Sequence, residues 1–141
     1  MKQFKIFIII LLIIIFPGCA GLADYGYNIV NGYKLNYNNS SDVRVILENY
    51  SGYEEYCLPT KIVEIAWNDR YIIAKQYELV DRNEYKGDTY KIPDKNKVNY
   101  WILDSLEKER YGPYTLDEFN EQLEFYNITN LKLKPTIYYK K

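Results

Sequence analysis

The sequence predicts an α+β fold: an antiparallel meander of about seven β-strands with one helix on the C-terminal side, preceded by an N-terminal signal segment. Three observations carry this. Several short segments alternate apolar and polar residues between turn-forming ones, as half-buried strands do. β-Branched and aromatic residues dominate the stretch from Lys61 to Leu79. A single stretch, 116–126, repeats its apolar residues at helical spacing behind a capping signal.

The elements follow in order. Tyr25, Tyr27 and Ile29 alternate, Asn31-Gly32 punctuates, and Tyr33, Leu35 and Tyr37 alternate again, which predicts a hairpin. Asn38 to Asp42 is a polar loop, and Val43, Val45 and Leu47 make a third strand. Asn49 to Thr60 holds Gly52, Pro59 and several tyrosines and acids, and predicts an irregular loop. KIVEIAW and RYIIAKQYEL flank Asn68-Asp69 as a long hairpin, since Asn tolerates positive φ. Asp81 to Lys97 is polar, with Gly87 and Pro93, and reads as a solvated loop. Its DRNEYKGD run lacks the glycine position and closing glutamate of a calcium-binding EF-hand. Asn99 to Asp104 is a strand that turns back into Glu109 to Tyr111, and Gly112-Pro113 ends that hairpin. Thr115-Leu116-Asp117-Glu118 has the capping-box spacing, with Asp117 and Glu118 suited to the positive helix start. Leu116, Phe119, Leu123 and Tyr126 then share one helix face. Leu131, Leu133, Ile137 and Tyr139 suggest a last strand, placed at an edge by Pro135. Trp67, Ile65, Ile73, Trp101, Leu103, Phe119 and Leu123 are the expected core.

Ahead of this domain stand Lys2 and Lys5, an unbroken apolar run from Ile6 to Phe16, and then Pro17-Gly18-Cys19. A charged start, an apolar middle and a small residue make the layout of a secretory signal. The run is shorter than the ~20 apolar residues that cross ~30 Å of hydrocarbon, and Pro17-Gly18 breaks a helix. Gly18-Cys19 resembles the cut site of bacterial lipoprotein signals, with Phe16 where leucine is usual and Pro17 where alanine or serine is usual. That resemblance implies a diacylglycerol on the Cys19 sulfur and removal of residues 1–18. An uncleaved anchor and ordinary signal-peptidase cleavage are the alternatives. Two acyl chains are about what stable anchoring takes. The domain organisation is then 1–18 signal, 19–24 lipidated tether and 25–141 a single globular domain. It lies on the outer face of the cytoplasmic membrane.

Composition bounds the function. The mature part has 123 of the 141 residues, enough to bury about two-thirds of its unfolded surface as one domain. Losing Lys2 and Lys5 with the signal takes the net charge from −1 to −3, against a nucleic-acid partner, which calls for a basic face. Histidine is absent, which removes Ser-His-Asp and Cys-His chemistry and the commonest metal ligand. No catalytic residue, metal or cofactor is expected. With Cys19 acylated, Cys57 has no partner in the chain and reads as a small core residue or an exposed thiol. Tyrosine is abundant, with 17 residues, and suits half-buried strands because its ring buries while its hydroxyl stays wet.

WNDRYIIAKQ, NYWILD and YGPYTLDEF resemble a domain-of-unknown-function family of small uncharacterised lipoproteins of low-G+C Gram-positive bacteria, a resemblance that implies no activity and no site residue. Tyr100 to Phe119, with YWIL, GPYT and an acidic capped helix, is also similar to GYF-type modules. This second likeness would make Tyr100, Trp101, Tyr111 and Tyr114 an aromatic face for proline-rich peptides. The best contact surface by sequence is the loop bearing Tyr50, Tyr53 and Tyr56, because loops carry function and aromatic residues favour contact patches. The reading is therefore a membrane-anchored, non-catalytic binding or accessory module for an envelope protein or wall polymer. Two alternatives stand: a self-protection lipoprotein, and a carboxylate-dependent cell-wall hydrolase drawing on Glu54, Glu55, Glu64, Asp69 or Asp104.

Overall fold

The computed structural model describes residues 25–49 and 54–140. Its elements are β1 (Tyr25–Asn28), β2 (Tyr33–Tyr37), β3 (Val43–Leu47), β4 (Ile62–Trp67), β5 (Tyr71–Asp81), β6 (Lys91–Asp104), β7 (Glu109–Tyr114), α1 (Leu116–Phe125) and β8 (Lys134–Pro135). The strands pair antiparallel throughout, and α1 accompanies them, as an α+β fold requires. They form two sheets rather than one meander: β1-β2-β3, and β7-β6-β5-β4-β8.

Three layers result. The alternation of β2 and β3 sends Tyr33, Leu35, Tyr37, Val43, Val45 and Leu47 to one face, where they meet Ile62, Ile65, Ile72, Ala74, Trp101 and Leu103 of the larger sheet. The opposite face of that sheet presents Ala66, Ile73 and Ile102 to Phe119, Leu123 and Ile128. The larger sheet is thus buried on both faces, so β5 reads as the nearly continuous apolar run Tyr71-Ile72-Ile73-Ala74. Of the expected core residues, Trp67 is only half-buried. It joins Tyr27 and Tyr139 in an aromatic cluster with ring centroids 5.0–6.0 Å apart.

Local chemistry sets the turns. Asn31 (φ 50°) and Gly32 (φ 82°) both take positive φ, the I′ geometry that matches strand twist. The capping box of α1 is complete: Thr115 Oγ1 accepts from the Glu118 amide at 3.3 Å, and the Thr115 amide donates to Glu118 Oε2 at 2.7 Å. The helix stops at Phe125, with Tyr126 as its C-cap. Leu116, expected on the buried face, is 52% exposed.

Three segments differ from the sequence reading. Of residues 81–97 only 82–90 form a loop: β5 runs to Asp81 and β6 starts at Lys91, so the pair continues past the sheet as a two-stranded ribbon that this loop closes. A bulge sets the ribbon off, with Tyr77 opposite Val98 and Glu78 opposite Asp94. Gly112-Pro113 does not end β7 but lies inside it, where the register with β6 shifts between Tyr100 and Ile102. The expected last strand shrinks to Lys134–Pro135 on the edge of β4. The Thr136–Tyr139 3₁₀ turn follows, leaving Ile137 exposed. Pro135 offers no amide to extend that ladder.

Gly112 has φ 123°, and a Cβ there would sit 2.7 Å from the Tyr100 carbonyl oxygen and 3.0 Å from Trp101 Cε3. Gly112→Ala is expected to lower stability by more than about 1 kcal/mol. An unchanged urea midpoint would show that β7 yields freely.

Candidate functional site

Cys19, Tyr50 and Tyr53, with residues 1–24 as a whole, lie outside the described residues. Tyr56 closes the Glu54–Tyr56 3₁₀ turn and is half-buried, as is Cys57, which is a free thiol. Leu58, fully buried, bridges to Val45 and fixes the end of the segment on β3. The Arg110 guanidinium holds the turn from β7: Nη1 donates to the carbonyls of Glu54 (3.0 Å) and Cys57 (2.7 Å), and the group lies 5.1 Å over Trp101. Beneath lies Tyr33, 1% exposed, whose hydroxyl has no hydrogen-bond partner among the described residues. Burial, followed by Cys57, Asp104 and Tyr56, pushes its pKa up to about 12, so it stays neutral.

The aromatic face expected from the GYF-type likeness does not assemble. Adjacent strand residues point to opposite faces. Tyr100 stacks on Phe119 at 4.9 Å beside the helix, while Trp101 is buried between the sheets and donates from Nε1 to Gln76 Oε1 at 2.9 Å. Tyr111 and Tyr114 pack as half-buried members of the helix-side core.

A recess of about 230 Å³ opens between α1, the helix-side face of the larger sheet and the chain after α1. Ile73, Phe119 and Leu123 floor it, Leu116 stands at its mouth, and Leu131 and Leu133 form the far wall. One cross-strand row gives it a polar end: Glu64 on β4, Lys75 on β5 and Tyr100 on β6. Lys75 Nζ reaches Glu64 Oε1 at 3.0 Å, and that hydrogen bond, against some desolvation, raises the Lys75 pKa. Small-molecule sites usually enclose ~300–1,000 Å³. This recess suits one or two apolar side chains with a polar group at the Glu64–Lys75 end. Sequence reasoning missed it because its lining comes from five separate segments, each ordinary alone.

Of the acids considered for hydrolysis, Asp104 and Glu64 serve the fold. Asp104 is 3% exposed; its Oδ2 accepts from Arg70 at 2.6–2.8 Å and its Oδ1 from the amides of Leu106 (3.1 Å) and Glu107 (3.2 Å). Burial would raise its pKa, but Arg70 and the two amides outweigh burial and hold it below the ordinary carboxylate value. Glu64 is tied to Lys75. Asp69 is exposed in the β4–β5 turn, and Glu54 and Glu55 are exposed in the 3₁₀ turn. Asp42, Asp88 and Glu118 are also shifted down, opposite to what a general acid needs.

A carboxylate whose folded pKa is depressed adds stability above its unfolded pKa of about 3.9, and this is lost as pH falls through the folded value. Asp104→Asn is therefore expected to cost about 1–3 kcal/mol near pH 7, through the weakened contacts to Arg70 and the turn. It should also flatten the decline in stability below pH 4. Parallel urea titrations across pH check this; an acid limb as steep as in the parent chain would contradict it.

Comparison with known proteins gives a family but no activity. No curated protein and no solved structure matches the chain. A family model described as "Protein of unknown function (DUF3997)" matches residues 30–138, from the first hairpin through the C-terminal 3₁₀ turn. The chain belongs to the DUF3997 family of proteins of unknown function.

Proposed function

We propose that this protein is a membrane-anchored extracytoplasmic lipoprotein whose domain is a non-catalytic binding module. The anchor rests on Lys2, Lys5, the Ile6–Phe16 run and Gly18-Cys19. The diacylglycerol on Cys19 replaces the apolar run cut away with the signal. Among the described residues no helix is long and apolar enough to cross a membrane.

The binding role rests on the recess under α1. It is floored by Ile73, Phe119 and Leu123 and ends in a charged pair already satisfied by itself. Such a recess receives an apolar side chain from a partner polypeptide better than it receives a sugar, whose hydroxyls would meet few partners there. An envelope protein is therefore favoured over a wall polymer, with the loop bearing Tyr50, Tyr53 and Tyr56 as a second candidate contact surface.

Cys19→Ala should leave the protein unprocessed or free in the medium; a mature-size band that stays with the membrane would refute the anchor. Leu116→Asp charges the recess mouth at an exposed position, so folding should survive. Crosslinking on intact cells should then lose its captured partner. Joint replacement of Tyr50, Tyr53 and Tyr56 by Ala tests the loop in the same assay, and unchanged capture by either variant removes that surface.

A further inference from the structure

The β5–β6 ribbon leaves the body at the same end as the start of β1. Tyr25 pairs with Tyr37, and Tyr37 with Val43, so the start of β1 lies beside the 38–42 loop. That loop is tied to the start of β4: the Val43 amide donates to Thr60 Oγ1 at 3.1 Å, and Thr60 Oγ1 donates to the Ser41 carbonyl at 3.1 Å. Lys61 in turn exchanges backbone hydrogen bonds with Tyr77 at 2.9 and 3.2 Å, the last pair before the ribbon. The opposite end holds the turns at Asn31, Asp69 and Ser105, joined by Asn31 Nδ2 at 2.8 Å to each of the last two.

Two lengths agree. Six residue steps from Cys19 to Tyr25 span at most about 20 Å. Four strand residues beyond Tyr77 advance ~13 Å, and the closing loop brings the ribbon tip to about 20 Å. A domain tethered at Cys19 can therefore stand no farther from the bilayer than its ribbon reaches.

The tip has the chemistry of an interface. Tyr85 is 63% exposed, Tyr90 53% and Ile92 38%, although no core requires them to be apolar. Tyrosine favours the headgroup level of a bilayer, where its ring is buried and its hydroxyl wet. Lys86 and Lys95 are exposed and carry no ion pair among the described residues. Basic and acidic residues balance over 78–97, so anionic headgroups meet no net repulsion. We infer that the ribbon tip is a second membrane contact, seating Tyr85, Tyr90 and Ile92 among lipid headgroups and fixing how the anchored domain faces away from the bilayer. The contact presupposes the anchor at Cys19.

The test uses the full acylated chain in vesicles of phosphatidylglycerol and shallow-brominated phosphatidylcholine. Tyr85→Trp and Ile92→Trp place reporters on the tip, and Leu106→Trp places one at the opposite end. Emission of Trp67 and Trp101 is subtracted using the unsubstituted chain. The bromines should quench the tip reporters, as expected for rings at the headgroup level, and leave Leu106→Trp unquenched. Equal quenching at both ends, or none at the tip, overturns the contact, including the case of an arm reserved for a protein partner. The mass of the N-terminal peptide separates the two readings. An acylated Cys19 without the contrast sinks the arm alone, and an unacylated Cys19 sinks both.

Discussion

Burial of the larger sheet on both faces is the constraint on which the rest of the structure depends. β5 is its centre. Ile72 and Ala74 face the β1-β2-β3 sheet, while Ile73, between them, faces α1. Neither flanking layer has a core without this strand: the three short strands would leave their apolar face in water, and a ten-residue helix is marginal alone. Gln76 is the last residue of β5 that points into the inter-sheet core. It is 5% exposed and fully engaged: Oε1 accepts from Trp101 Nε1, and Nε2 donates to the Thr60 carbonyl at 2.6 Å. A buried amide satisfied on both sides closes that core as a polar plug. Past it the strand pair has no sheet to support it and becomes the ribbon.

The two ends of the molecule are consequently unlike. At one end Asn31, Arg70, Asp104 and Ser105 stitch the turns of both sheets together. The Ser105 amide donates to the Arg70 carbonyl at 2.8 Å, and Asp104 accepts from Arg70 and from its own turn. That end spends its polar groups on holding the sheets in register. The other end carries the 38–42 loop, the start of β1 and the ribbon, with side chains left for contacts outside the fold. The acids follow the same division of labour, since buried Asp104 is paired for structure rather than poised for proton transfer.

Much of this could be read from the residues. Asn31-Gly32 demands a I′ hairpin, Thr115 and Glu118 demand a helix start, and the apolar runs around Asn68 demand a long hairpin, and each is present. What escaped had a physical reason. The ribbon has no buried face, so its strands lack the alternation that marks strands in sequence. The division into two sheets depends on which strand pairs with which, and alternation says only that a strand has an apolar face. Gly112-Pro113 has the composition of a chain reversal and the role of a bulge, because β7 must step past the Trp101 ring. The recess joins Glu64, Tyr100, Leu116 and Leu133 across the fold, a juxtaposition no local pattern announces.

The ribbon tip then poses the question of why a solvated arm holds so many contacts of its own. The Asp88 side chain is 1% exposed although its surroundings are open. It accepts from Arg82 Nε at 2.9 Å and from the amides of Glu84 (3.2 Å) and Tyr90 (3.0 Å), and these bonds, Arg82 first, hold its pKa down. Arg82 also lies 4.9 Å from the Tyr90 ring centroid and 5.9 Å from that of Tyr85. One arginine thus gathers the loop carboxylate on one side and two aromatic rings on the other. A loop that only had to connect two strands would gain little from being fixed, because connection requires no single conformation. Fixing it before contact lowers the ordering cost of any later contact. The arrangement also holds Tyr85 and Tyr90 outward, where their rings remain largely in water. The clasp therefore makes sense as preparation for a surface the tip meets, and the Arg82–Asp88 pair is the part of the arm that sets its shape.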